Sequence, residues 1–455
     1  MNYDELIERQ RAYYRSGATR GYAFRMQALE KLQAALKKYD AALKDALLAD
    51  LNKQPMESHT TEIGLVYDEI RLHRKNLKKW MRDRKVRTSQ LYLPGTRSYR
   101  SPEPMGVVLI ISPWNYPVNL TLLPLIGAIS AGNCAVIKTS SKAPHVGAVL
   151  GELIADAFDD EYITTVHAAR SECGNLLLGD WDHIFFTGSQ KGGREVMAAA
   201  AQKLVPVSLE LGGKNPVVID PTADLRAAAR RIAYGKTMNA GQTCVAPDYL
   251  LIHESIRDAF MLEYREALKK FFPKDDMSQM PCIVNDEAFR RLCGYIVPEK
   301  TSVGGRFDEN RRFIEPTVLV DVQPEDAIMQ EEVFGPILPV LTWTELEQCP
   351  AFIHRYPKPL AMYIFSKDQA IIRRLLNECS FGGGCVNDTV VHVSNSSLPF
   401  GGVGASGIGS YHGEMSFEAF THFRSIADHR GGIENPIRYF PYTKAGYSLI
   451  RKFMK

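Results

Sequence analysis

A chain of 455 residues with 45% hydrophobic content is long enough to fill more than one core, because single cores stop growing near ~250–300 residues. Two large domains are therefore expected. The 55 basic and 52 acidic side chains are spread along the chain for a net charge of +3, which leaves no concentrated field for a polyanion and argues against a nucleic-acid partner.

The first residues, MNYDELIERQ, carry acids and lack the apolar segment of a secretory signal. From Arg25 to Lys53, Leu29, Leu32, Leu36, Leu43 and Leu47 recur at helical spacings among Lys, Glu and Gln, the mark of long amphipathic helices that serve as scaffold. A polar piece from Arg82 to Arg100, with Tyr92 and Tyr99 and ending in Pro102 and Pro104, reads as an exposed hairpin. Then one pattern repeats: a short aliphatic strand, a turn rich in Gly, Pro or Ser, and a helix. Val107 to Ile111 runs into Ser112-Pro113-Trp114-Asn115, Ala135 to Ile137 into Lys138-Thr139-Ser140-Ser141, and His183 to Phe186 into Thr187-Gly188-Ser189. Strands of this kind belong to a parallel α/β sheet buried on both faces, in which ligands bind beyond the carboxyl ends of the strands. Val217 to Ile219 opens a second domain and Tyr249 to His253 continues it. The longest purely aliphatic run, Val107 to Ile111, is far short of the ~20 residues that span a bilayer, so no integral membrane segment is expected.

Three segments carry chemistry. In Pro113-Trp114-Asn115-Tyr116-Pro117 a neutral amide donor sits in a stretch stiffened by two prolines; Asn115 is an oxyanion-donor candidate, although such a turn is more often only a rigid turn. In Leu209-Glu210-Leu211-Gly212-Gly213-Lys214-Asn215-Pro216 a carboxylate lies between leucines, whose desolvation raises its pKa toward the range of a general base. An ordinary strand-end carboxylate is an equally weighted reading of Glu210. Asn239-Ala240-Gly241-Gln242-Thr243-Cys244 presents a thiol on a glycine-containing loop, yet a small buried hydrophobe is the common fate of a cysteine. The eight cysteines, at 134, 173, 244, 282, 293, 349, 379 and 385, form no CxxC pair and no Cys/His cluster of zinc spacing. They read as free thiols of a reducing compartment, which implies a cytoplasmic location and no metal. His392 and His412 read as structural histidines. The basic, partly apolar end from Tyr447 to Lys455 reads as a packed or frayed terminus that could touch a membrane surface.

PWNYP at 113–117, FTGS at 186–189, LELGGKNP at 209–216, GQTC at 241–244, EEVFGP at 331–336 and LPFGGVGASGIG at 398–409 resemble, in order and spacing, the aldehyde dehydrogenase superfamily from about Thr19 to Arg424. With NDTVVHVS at 387–394 and GSYHGEMSFEAFTHFRS at 409–425, the chain looks like the class 3 branch, which includes fatty and aromatic aldehyde dehydrogenases. The resemblance implies that Cys244 is the nucleophile, Glu210 the base that activates hydrolytic water, and Asn115 an oxyanion donor alongside the Cys244 backbone N–H. Thiolate attack, hydride transfer to a nicotinamide and hydrolysis of a thioester would follow.

By the same resemblance Gly188, Ser189 and Gly193 open a helix whose N-terminus faces a pyrophosphate, Glu332 rather than Glu331 holds the nicotinamide ribose, and Phe334 packs beside it, with Trp114 from the first turn also at the cofactor. Lys138 reaches the adenosine ribose. Ser141, followed by Lys142, stands where many NAD-preferring members carry a Glu that would repel a 2′-phosphate, so NAD or NADP is expected, with NADP accepted. Departures from the pattern are Gly192 for a bulkier residue, Thr139 for a proline, and Ala168-Ala169 for a glycine pair.

The expected architecture is α/β: a Rossmann-like cofactor domain over 1–211, a second α/β catalytic domain over 212–386, and an oligomerisation element and tail over 387–455. The 82–103 β excursion joins that last element, and class 3 relatives are dimers, so a homodimer is expected. Three other readings rank lower. An acyl-transferring dehydrogenase would pass the thioester to coenzyme A or phosphate, a cofactor-free cysteine esterase would ignore NAD(P), and a non-enzymatic binding protein would show gaps among the catalytic residues. The sequence leaves alkyl, aromatic and terpenoid aldehydes open as substrates.

Overall fold

Five consecutive aliphatic residues lose free energy if either face meets water, and Val107–Ile111 lies near the middle of a six-stranded sheet with four of its five residues fully buried. Across that sheet run Gly407–Ile408, Val207–Leu211, His183–Gly188, Val107–Ile111, Cys134–Lys138 and Ile163–Val166. All pair in parallel except Gly407–Ile408, which returns from the C-terminal part of the chain to lie antiparallel against Leu209 and Glu210. The chain builds outward from 107–111 on one side and then reverses to the other, which makes a topological switch point there. Ser112, Ser189 and Gly212 follow the carboxyl ends of three adjacent strands at that point. The computed structural model describes residues 3–89, 93–166, 173–431 and 435–453; Tyr92 and Ala168-Ala169 lie outside the described residues.

The chain leaves this sheet at Leu211 and enters a seven-stranded one at Pro216. The second sheet orders Thr301–Val303, Thr317–Leu319, Ile337–Trp343, Tyr249–His253, Pro216–Ile219, Ala361–Phe365 and Gly383–Val386, parallel except for the first pair. The two sheets are those of a Rossmann-like α/β protein. A third sheet is antiparallel: Arg84–Val86 and Thr96–Pro104 form the expected hairpin, and Thr421–His429 adds the outer strand.

Leu29, Leu32, Leu36, Leu43 and Leu47 are completely buried on the helices Tyr22–Lys38 and Asp40–Leu51, as their spacing requires. The stretch is more than scaffold, because its last residue, Lys53, ends inside the site described below. Among the described residues no helix is long and apolar enough to cross a membrane.

Candidate active site

The loop carrying Cys244 begins where the helix Leu225–Thr237 breaks into a turn with Asn239, Ala240 and Gly241 all left-handed, at φ 49°, 51° and 70°. Two non-glycine residues in that region cost free energy that the surroundings must supply. Asn239 is held at its N–H by Glu57 Oε1 (2.7 Å), while its Nδ2 donates to the carbonyls of Asn115 (2.8 Å) and Gln242 (3.1 Å). Gly241 admits no substitute: a Cβ there would stand 2.3 Å from the Gly335 carbonyl oxygen, so the GQTC and EEVFGP segments meet backbone to backbone at this point. Beyond the turn, Asn215 Nδ2 holds the Cys244 carbonyl at 2.8 Å, and the Tyr116 hydroxyl meets Thr243 Oγ1 at 2.6 Å.

Glu210 lies on the strand Val207–Leu211, 3% exposed, with neither carboxylate oxygen in hydrogen-bond geometry to a described residue. Burial pushes its carboxyl up to about 7, against a smaller downward pull from the neighbouring Cys244 thiol and Thr187 hydroxyl. Thr187, its partner in register on the adjacent strand, is likewise buried, and its hydroxyl has no partner in full hydrogen-bond geometry among the described residues. Burial first, and the Glu210 charge second, push the Cys244 thiol well above its ordinary value. The Glu210 charge disfavours ionisation of the thiol, whereas the neutral thiol favours the carboxylate, so the pair readily carries one negative charge and not two.

Asn115 is 3% exposed, and its Nδ2 donates to the Gln242 carbonyl at 3.1 Å, which occupies one of two amide hydrogens. Its own main-chain carbonyl takes two donors, Asn239 and Lys53 Nζ, the latter at 3.0 Å. Outward from Cys244 runs a pocket walled by Leu65, Tyr116, Leu120, Met238, Val391 and Phe400. No Asp, Glu, Lys or Arg lines it among the described residues. His412, read from sequence as structural, forms part of the wall, and burial holds its imidazole down at about 4, hence neutral. Tyr411 beside it is buried, and its hydroxyl has no partner among the described residues.

On the other side of Cys244 is a groove at the switch point. Ser189 caps the helix Gln190–Ala201, its side chain accepting from the Gly192 N–H at 3.2 Å, which leaves the helix's first amides for an anion. The unusual Gly192 has a local reason: a Cβ at either Gly188 or Gly192 would meet the Phe186 ring at 2.7 Å. Gly193 packs on Leu211 in the same way. Glu332 lies across Gly212, where a Cβ would come within 2.1 Å of Oε2, and burial together with the Asp248 charge pushes its carboxyl well up. Glu331 instead points outward and is tied by the Tyr295 hydroxyl and Arg291. Phe334 meets the Trp114 ring edge-on at 5.6 Å. Lys138, buried, ends its strand, and Ser141 and Lys142 are exposed just past it. The EEVFGP loop is anchored from below by the buried pair Lys214–Asp248 (2.6 Å), with Asp248 also accepting from the Val333 N–H.

A nicotinamide dinucleotide fits these residues. The capped helix offers amides at its start, Gly188, Gly192 and Gly193 put no side chain beside them, and Lys236 Nζ is buried with no partner among the described residues. Burial lowers the Lys236 amine to about 8. The sequence reading brought together Cys244, Glu210, Asn115, Glu332, Phe334 and Trp114, which are neighbours in space; it passed over Lys53, Glu62, Asn239, Lys236 and Tyr411. Lys53 and Glu62 look like solvated residues of a charged stretch, and only burial distinguishes them.

The family model described as "Aldehyde dehydrogenase family" matches residues 1–426. The chain is 45% identical over 450 residues to the 4,4'-diaponeurosporen-aldehyde dehydrogenase of Staphylococcus aureus, covering 98% of this chain and 97% of that one. It is 42% identical over 424 residues to the rat "Aldehyde dehydrogenase, dimeric NADP-preferring", covering 92% and 93%. Among solved structures, the substrate-bound state of Staphylococcus aureus AldH superposes with a TM-score of 0.97 at 44% identity, covering all of both chains.

Proposed function

The chain belongs to the aldehyde dehydrogenase family, enzymes that oxidise aldehydes with NAD or NADP, and we propose that in this member Cys244 attacks the aldehyde, Asn115 holds the resulting oxyanion and Glu210 activates water. The observation that carries this is the pair of a half-buried Cys244 and a buried Glu210, set between an apolar pocket and the groove bearing Glu332 and Phe334.

Cys244 Sγ bonds to the carbonyl carbon as its thiol proton passes to solvent water, and the oxygen takes up negative charge. Asn115 Nδ2, through its second hydrogen, and the Cys244 N–H receive that charge. Gly188, Ser189, Gly193, Lys138, Glu332, Phe334 and Trp114 would hold the nicotinamide cofactor, which when bound would supply the hydride acceptor. The thioester left on Cys244 is cleaved when Glu210 takes a proton from water and the resulting hydroxide attacks, releasing the acid and restoring the thiol. The retained Glu210 favours water over coenzyme A as acyl acceptor.

Ser141 and Lys142 support NADP acceptance, since no carboxylate stands there to repel a 2′-phosphate. An aldehyde panel followed by absorbance of the reduced cofactor, run with NAD and NADP in parallel, tests both readings. Medium and long aliphatic or aromatic aldehydes should give higher kcat/KM than acetaldehyde or charged aldehydes, and NADP should match or exceed NAD. A strong preference for NAD would reject the cofactor reading, and no turnover of any aldehyde would reject the reaction.

Two further features are proposed. The nine-residue outer strand Thr421–His429 pairs on one side only among the described residues, and long open edges are paired or covered in native proteins, which supports a homodimer. Light scattering should give twice the chain's 51.0 kDa; a monomer at working concentration would contradict it. The eight free cysteines fit a reducing, cytoplasmic setting.

A further inference from the structure

Lys53 and Glu62 form an ion pair with both side chains completely buried, Nζ to Oε1 at 2.7 Å. A buried ion pair is a poor way to gain stability, because apolar residues of similar volume do as well or better. What this pair holds is more telling. Lys53 Nζ also donates to the main-chain carbonyl of Asn115 at 3.0 Å and stands 4.2 Å from the centre of the Tyr116 ring. The second Glu62 oxygen, Oε2, accepts from the N–H groups of Val118 and Asn119, both at 2.9 Å. One ion pair therefore grips the 115–119 turn at both ends.

The elements presenting the pair are themselves irregular. Lys53 follows Asn52, a left-handed residue (φ 53°) that ends the helix Asp40–Leu51. Glu62 lies in a π-helical stretch, His59–Ile63, whose neighbours Thr60 and Thr61 line the pocket while Glu62 is buried behind them. Single π turns inside helices are common at functional sites. Asn239 of the Cys244 loop donates to the same Asn115 carbonyl, so Lys53 and Asn239 together fix the turn relative to the nucleophile loop. Two prolines fix φ at 113 and 117, but the rotation of the backbone between them, which aims the Asn115 side chain, has no such lock.

We propose that Lys53 and Glu62 are positioning residues, and that their buried pair fixes the aim of the Asn115 amide at the oxyanion. The proposal rests on the reading of Asn115 as an oxyanion donor. Such a donor contributes only when held within about 0.5 Å of the productive geometry.

A double-mutant cycle of Lys53→Met with Asn115→Ala tests it, read as kcat/KM for the aldehyde, with cofactor Kd measured by fluorescence as a control. Asn115→Ala alone should lower kcat/KM ~10²–10³-fold, and Lys53→Met alone ~10–10²-fold. In the Asn115→Ala background Lys53→Met should cost less than about threefold, because its effect passes through a side chain already absent. Cofactor Kd should stay within about twofold throughout. Glu62→Gln in the same cycle gives a second route should Lys53→Met fail to accumulate as folded protein. A harmless Lys53→Met, or a loss that repeats at full size without Asn115, overturns the positioning role. An Asn115→Ala enzyme with unaltered kcat/KM overturns the donor reading itself, and the proposal with it.

Discussion

Cys244→Ala is expected to lower kcat for aldehyde oxidation about 10⁴-fold or more, with cofactor affinity and fold retained. The size follows from the role: removing the atom that becomes covalently bonded leaves only the contributions of binding and the oxyanion donors. No other cysteine can substitute. Cys134, Cys349 and Cys379 are buried in the core, and none of the remaining seven lines the pocket. The lost contacts are small, since a thiol replaced by a methyl group in a half-buried position changes little packing, so thermal stability should move by no more than a few degrees. Steady-state rates at saturating aldehyde, with the cofactor Kd measured alongside, check this; turnover close to that of the unaltered enzyme would reject the sulfur as nucleophile.

Glu210→Gln should lower kcat ~10²–10³-fold by stopping hydrolysis of the thioester while sparing its formation more. The pH dependence separates this from a packing defect. The base works as the carboxylate, and the carboxyl is pushed up to about 7 by burial. In the unaltered enzyme kcat should therefore fall about tenfold per pH unit well below 7 and level off above it; in Glu210→Gln that limb should vanish. Stability should change with the opposite preference. Because the folded value lies above the ordinary 4.5, ionisation between about 4.5 and 7 favours the unfolded chain. Glu210→Gln should then leave Tm nearly unchanged at pH 4.5 and raise it at pH 8. A kcat profile that keeps its acidic limb after the substitution would remove Glu210 from the base role.

The sheet strands were legible because burial on both faces demands unbroken aliphatic runs, as in Val107–Ile111 and Cys134–Lys138. Six ordered motifs brought the site residues together before any coordinates did. What escaped was whatever depends on contacts between distant segments. Nothing near Lys53 in the chain says that its ammonium is completely buried against Glu62 and the carbonyl of Asn115. Asn239 is of a type that tolerates left-handed backbone, but Ala240 carries no marker of it; the contacts with Glu57, Asn115 and the EEVFGP loop impose it. His412 is placed in the pocket wall by a third network, in which Glu69 accepts from the Gly413 N–H and from Ser416, whose hydroxyl in turn receives the His412 N–H. Register alone separated Glu332 from Glu331, and the structure supplies the physical difference: Tyr295 and Arg291 hold Glu331 outside while Gly212 leaves room for Glu332 within.

The proposed reaction turns on a covalent bond between one sulfur and the substrate carbon. Glu210→Gln enzyme mixed with a long-chain aldehyde and NADP, quenched in acid within seconds and digested, should yield a peptide containing Cys244 that is heavier by the acyl group, in near-stoichiometric amount and dependent on cofactor. Acyl mass on another residue, or free Cys244 while reduced cofactor still accumulates, would exclude Cys244 as the nucleophile.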